Sequence, residues 1–129
     1  MARCRACGAV RVVEPDFRVV LPVPPSANAL FTTRAGSRQR IKADAYRAWI
    51  AEAGWAVARA TVRLAEPIKH ARVEMDMPFS YRRDISNGVK AVEDLLKTHG
   101  IIVDDRWIEE LVVRRVPATQ PMEVRAWRL

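Results

Sequence analysis

The apolar positions of this chain change period along its length, and each change marks an element. Asp16–Leu21 is rich in β-branched and aromatic residues and reads as a strand. Pro22, Pro24 and Pro25 stop it, since proline lacks the N–H that a ladder needs. From Ser26 to Arg40 turn-forming and basic residues predominate, and the segment reads as a loop. Over Lys42–Leu64, Tyr46, Trp49, Ile50, Ala53, Val57, Ala60 and Leu64 fall on one face of a helix. Ala71–Phe79 then alternates: Val73, Met75 and Met77 face one way and Arg72, Glu74 and Asp76 the other, the mark of a half-buried strand. Tyr81–Asp84 is a charged exit. Asn87–His99 is a second helix with a stripe of Val89, Val92 and Leu96, capped by Ser86 or Asn87 and stopped by Gly100. Ile101–Val103 is a short buried piece. Glu110–Val116 and Met122–Leu129 are two last strands across a Pro117–Pro121 turn. The order β-α-β-α-β-β predicts an α/β (α+β) domain with a small mixed sheet and two main helices over residues 16–129.

Charge adds the first functional hint. Twenty-two Lys+Arg against 15 Asp+Glu leave a net +7 on 129 residues. So basic a domain suits a polyanion, nucleic acid or an anionic membrane face. No apolar run reaches the roughly 18–20 residues that span a bilayer, and no secretory pattern follows the N-terminus. The expected setting is the reducing cytoplasm. Arg34, Arg38, Arg40 and Lys42 place four cations in nine residues without an acid. Such a loop is either a solvated surface or a contact for phosphates, and the overall charge favours phosphates. Residues 1–15 read as a flexible extension. Its Cys4-x-x-Cys7 is half of a zinc knuckle without the other half, so an unliganded tail, a zinc ion completed elsewhere and a redox pair all stay open.

The residues that offer a reaction lie around the second helix. Asp84 precedes it, Lys90 is in its first turns, and Asp104 and Asp105 follow where the chain returns to the sheet. Carboxylates converging at a crossover are oxygen donors for Mg²⁺, and a nearby lysine can neutralise a scissile phosphate. Each residue also has a plainer role. Asp84 suits a helix N-terminus, Lys90 and Asp94 form an i, i+4 pair, and Asp104-Asp105 suits a turn.

Pro24-Pro25-Ser26-x-Asn28, then Arg83-Asp84-x-x-Asn87-x-x-Lys90-x-x-x-Asp94, then Gly100 and Asp104-Asp105, together resemble the RusA family of Holliday junction resolvases. The resemblance covers residues 17 to about 117. It implies a homodimeric endonuclease, of bacterium or phage and associated with the nucleoid, that cuts four-way DNA junctions with Mg²⁺, for which Mn²⁺ can substitute. It implies metal ligands at Asp84 and Asp105, an essential Lys90, and support from Asn28 and Asn87. Arg82 and Arg83 would flank the bound phosphate with the Arg34–Lys42 loop. A two-fold dimer matches the near two-fold symmetry of a junction.

One position departs from the family pattern. The usual motif is Asp-x-Asp-Asn, and here the second aspartate is Ser86, a poor magnesium ligand. Three outcomes are open: Asp104, Asp94 or Asp76 substitutes; the metal is held more weakly; or the protein binds junctions without cutting them. Of the four tryptophans, Trp49, Trp55, Trp107 and Trp127, most are expected in the core or a dimer interface.

Overall fold

The computed structural model describes residues 13–33, 35–36, 38–60 and 64–129, and the backbone of 2–3 and 10–11. Cys4, Cys7 and Arg34 lie outside the described residues. In chain order the elements are β1 (Ala2–Arg3), β2 (Val10–Arg11), β3 (Phe17–Leu21), β4 (Phe31–Thr33), β5 (Arg40–Lys42), α1 (Asp44–Ala58), β6 (Ala71–Met77), α2 (Val89–Thr98), β7 (Ile108–Arg115) and β8 (Met122–Arg128). Single 3₁₀ turns lie at Ala27–Ala29, Ile85–Gly88 and Asp105–Trp107. No described helix is long and apolar enough to cross a membrane.

The main sheet has the order β3-β8-β6-β7, with β6 and β7 parallel and the other pairs antiparallel. The mixed α/β class read from the sequence is therefore the one observed. A parallel pair needs a long crossover, and α2 is that crossover between β6 and β7.

Alternation within the strands gives the sheet two unlike faces. Phe17, Val19 and Leu21, Val73, Met75 and Met77, and Met122, Val124 and Ala126 point to one side. There they pack against Tyr46, Trp49, Ala53 and Val57 of α1 and Ala91, Val92, Leu95 and Leu96 of α2. Burial of this apolar set, at roughly 25 cal/mol per Å², is the main source of stability. Trp49 also donates its indole N–H to the Pro22 carbonyl at 2.8 Å, which fixes the proline segment against α1.

Several boundaries moved. Lys42 was expected to open the first helix. It instead pairs with Phe31 in the β4–β5 hairpin, so α1 starts at Asp44. The same hairpin replaces part of the expected 26–40 loop. At its other end α1 closes at Ala58, before Ala60 and Leu64, which still pack on the core from outside the helix. The second helix begins as a 3₁₀ turn and becomes α-helical at Val89. Gly100 stops it as expected, with φ at +71°, where a side chain would be strained.

The second face of β6 differs most from the half-buried strand expected. Glu74 is buried, 1% exposed. Its carboxylate accepts from Arg72 at 2.9 Å and from Arg114 at 3.0 Å, and Arg125 lies at 3.4 Å. Arg125 also donates to Asp76 at 3.0 Å and Glu123 at 2.7 Å. Strands β6, β7 and β8 therefore share a ladder of paired charges. Trp127 covers part of it, its N–H bonded to the Val13 carbonyl at 2.9 Å. Asp76 is committed to this ladder, on the face away from the helices. It is thus not an acid that can replace the aspartate missing at Ser86.

Candidate active site

The turn before α2 is held in place by two arginines. Arg83 points inward: its Nη1 and Nη2 donate to the Pro24 and Pro25 carbonyls at 2.8 and 3.0 Å, and its Nε to Asn87 Oδ1 at 2.9 Å. The guanidinium stacks on Phe79 at 3.9 Å, and burial lowers its pKa. Asn87 Oδ1 accepts a second bond from the Ala27 N–H at 3.0 Å, so one amide joins the Pro-Pro-Ser-x-Asn segment to the helix start. Arg115 binds the turn from the other side, donating to the carbonyls of Phe79, Ser80 and Arg83 at 2.7–3.1 Å. Arginine suits this work because its rigid fork reaches several carbonyls at once. Gly88 is needed beneath it: a Cβ there would meet the Phe79 ring at 2.9 Å.

The clamped turn presents Asp84 and Ser86 to solvent. The Asp84 carboxylate makes no hydrogen bond or ion pair among the described residues, while its carbonyl accepts the Asn87 N–H at 3.0 Å. Along α2, the Lys90 ammonium lies 2.9 Å from Asp94 and 3.6 Å from Asp105. The Asp94 hydrogen bond and then its charge raise the lysine pKa, which keeps Lys90 cationic. Asp104 has its own lysine, Lys97, at 3.6 Å and accepts from the Arg106 N–H at 3.3 Å. A hydrogen bond with the Asp105 carboxyl, then that N–H, holds Asp104 at about 2. Asp104 and Asp105, neighbours in the chain, are each steadied by a lysine.

Sequence reasoning missed two contributors. Glu93 sits half-buried on α2; burial, then the charge of Asp105, raises its pKa. It follows Lys90 by three positions, one helical turn, and that spacing was the available signal. Lys97, in the last turn of α2, salt-bridges Asp104. It also lines a cleft of about 420 Å³ with Phe31, Lys42, Tyr46 and Asp94. Burial, then Asp94, raises the Tyr46 pKa.

The predicted cations divide into two groups. Arg38, Arg40, Lys42 and Arg82 are exposed, with Arg40 lying over the Phe31 ring at 5.1 Å. Arg83 is turned into the protein, as described. Asn28 is exposed in the 27–29 turn that Asn87 holds. Trp49 and Trp127 are buried and Trp55 is exposed. Trp107 stands beside the acids, with Lys69 and Arg106 over its ring at 4.9 and 5.2 Å.

Among the described residues no three acids, histidines or cysteines stand at metal-binding spacing. The donor chemistry is nonetheless that of a hard cation: the Asp84 carboxylate has no partner among the described residues, and Asp105 adjoins Asp104 in the chain. Magnesium is commonly held through one or two carboxylates, keeps several waters and is completed by substrate phosphate. These acids fit that mode and not an all-protein cage.

The chain is also similar in sequence to known proteins. The family model described as Endodeoxyribonuclease RusA matches residues 22–125. The chain is 34% identical over 106 residues to crossover junction endodeoxyribonuclease RusA of Escherichia coli strain K12 and of Shigella sonnei strain Ss046. In each case the match covers 81% of this chain and 86% of the relative. The protein of the same description from Enterobacteria phage 82 is 34% identical over 109 residues, with the same coverage. A match spanning both the clamped turn and the Lys90–Asp105 cluster identifies the chain as a member of the RusA endodeoxyribonuclease family.

Proposed function

We propose that this protein is a metal-dependent endonuclease that resolves four-way DNA junctions as a homodimer, one site cutting each of two opposed strands. The observation that carries this reading is the Lys90 ammonium, held by Asp94 and Asp105 on the helix that the clamped, exposed Asp84 leads into. Asp84 and Asp105 would hold Mg²⁺ or Mn²⁺, with Asp104 beside them. The bound ion would polarise the phosphate and lower the pKa of an attacking water. Lys90 offsets charge that develops on the phosphate. Exposed Arg38, Arg40, Lys42 and Arg82, with Lys97 at the cleft, hold the DNA backbone by charge, so binding weakens steeply with salt. Arg83 and Asn87 fix the turn that aims Asp84 and act through it.

The direct test incubates a synthetic four-way junction with protein and Mg²⁺ or Mn²⁺. Paired, symmetric, metal-dependent nicks are expected. Lys90→Ala is expected to lower the single-turnover rate by about 10²-fold or more while the folded circular dichroism spectrum persists; a parental rate would leave Lys90 a surface residue.

Ser86 supports a second reading, in which the protein binds branched DNA and cuts it weakly or not at all. A junction that is bound but not nicked in either metal is the outcome this reading requires. Ser86→Asp separates the two, since it adds the absent carboxylate to the exposed turn. If the natural site is short of ligands, the variant cuts faster and at lower Mg²⁺ concentration. An unchanged rate and metal dependence would mean that the centre is already complete.

A further inference from the structure

Ser86 leaves the expected metal centre one carboxylate short, and the structure sorts the acids that could supply it. Asp76 is held in the arginine ladder on the far face of the sheet. Asp94 bonds Lys90 at 2.9 Å and lines the cleft beside α1 with Phe31, Lys42 and Tyr46. Asp104 is committed to the Arg106 N–H and to Lys97. Glu93 remains. Of the four acids on α2 and in the turn after it, Glu93 alone has no hydrogen bond or ion pair among the described residues.

The neighbours of Glu93 fix its place on the helix. Lys90 reaches Asp105 at 3.6 Å, and Lys97 reaches Asp104 at 3.6 Å. Seven residues are close to two turns of an α-helix, so the two lysines mark one stripe of α2, and that stripe faces the acids. Glu93 and Asp94 lie between the lysines, one on each side of the stripe. Asp94 takes the side of the cleft, and Glu93 takes the other. Helical side chains lean toward the N-terminal end, which for Glu93 is the end that carries Asp84 and Ser86. Glu93 is half-buried, and the Asp105 charge bears on it. A half-buried carboxylate without a bonded cation, close to a second carboxylate, is costly to keep. A divalent cation that takes oxygen from both relieves the cost.

We propose that Glu93 stands in for the aspartate replaced by Ser86 and joins Asp84 and Asp105 as an oxygen ligand of the divalent cation. The inference rests on the metal-dependent reading above. It accounts together for the neutral residue in the turn and the unpaired acid on the helix, and it returns the carboxylates around the ion to three. No three described acids stand at metal-binding spacing as the side chains lie. Glu93 closes the set by rotation, since its side chain has a methylene more than aspartate and no hydrogen bond to break.

Two measurements on the full chain test this. Free Mn²⁺, followed by electron paramagnetic resonance as protein is titrated without DNA, reads the site with no reaction. The Mg²⁺ concentration that half-saturates single-turnover junction cleavage reads it at work. Glu93→Gln keeps the size of the side chain and removes its charge. It is expected to weaken Mn²⁺ binding and to raise the half-saturating Mg²⁺ about tenfold or more, the scale on which even residues that only support metal ligands act. Without metal it is expected to melt no lower than the parent, since no bond is lost. Ser86→Asp placed in the same variant is expected to restore both readings, because the carboxylate returns where the family pattern has it. Glu109→Gln removes an equal charge from β7 and is expected to leave both readings unchanged. Parental Mn²⁺ binding and Mg²⁺ response in Glu93→Gln, or losses no greater than those of Glu109→Gln, would overturn the inference and leave the metal-dependent reading standing. A parental chain that binds no Mn²⁺ and makes no metal-dependent cut would remove that reading, and the inference with it.

Discussion

Asp105→Asn is expected to abolish junction cleavage and to leave junction binding intact. The substitution keeps the size and hydrogen-bonding capacity of the side chain and removes its charge. Two things depend on that charge. It is an oxygen donor for the proposed metal, and it holds Lys90 at 3.6 Å. The exposed cations proposed to hold the DNA backbone are elsewhere, so affinity is expected to be carried by other residues. A loss of about 10²–10³-fold in single-turnover rate is the scale for removing one group that meets developing charge, and a metal ligand should lie at its upper end or beyond. Gel-shift binding in the same salt supplies the control, because salt alone changes phosphate affinity by orders of magnitude. Asp84→Asn is expected to behave the same way, its carboxylate having no partner among the described residues. A variant that cuts at the parental rate would remove its residue from the ligand set.

Glu74→Ala is expected to cost about 3–5 kcal/mol of stability, the range for breaking a buried ion pair by removing one partner. The side chain is 1% exposed and bonded to arginines from three strands. Removing it leaves Arg72, Arg114 and Arg125 facing one another with one fewer acid among them. The loss appears as a lower urea midpoint; a midpoint within the error of the parent would mean that the ladder reorganises around the gap.

Acid titrates the same group. Burial raises the Glu74 pKa, but the hydrogen bonds from Arg72 and Arg114 outweigh it and bring the value from 4.5 to about 2. A depressed folded pKa contributes stability that is fully present above the unfolded value. It is lost as pH falls from about 4.5 towards 2. The parent should therefore lose stability across that window more steeply than Glu74→Ala, whose curve lacks this group. Parallel curves for the two proteins would show that Glu74 does not drive the acid transition.

Much of this molecule was legible in its residues. The alternation of Val73, Met75 and Met77 and the stripes of α1 and α2 were clear, because each records a local period. The small β4–β5 hairpin was not. Three-residue strands carry too little pattern, and Lys42 reads as well in a helix as opposite Phe31. The site divides in the same way. Asp84, Lys90, Asp104 and Asp105 stood out by type and spacing, while Glu93 and Lys97 did not, because their part depends on which face of α2 turns toward the acids.

The residues alone carry the main strands and helices, the basic surface, the family pattern and the departure at Ser86. All of these are properties of residue type and near spacing. Only the tertiary structure decided what the charges do. Glu74 alternates like a solvent-facing residue, yet it is buried because β7 and β8 bring Arg114 and Arg125 from 40 and 51 positions away. Arg83 is as basic as Arg82, yet it points inward because the Pro24 and Pro25 carbonyls, 59 and 58 positions away, need donors. Burying a charge is costly unless partners meet it, and partners distant in sequence become neighbours only when the strands are set side by side.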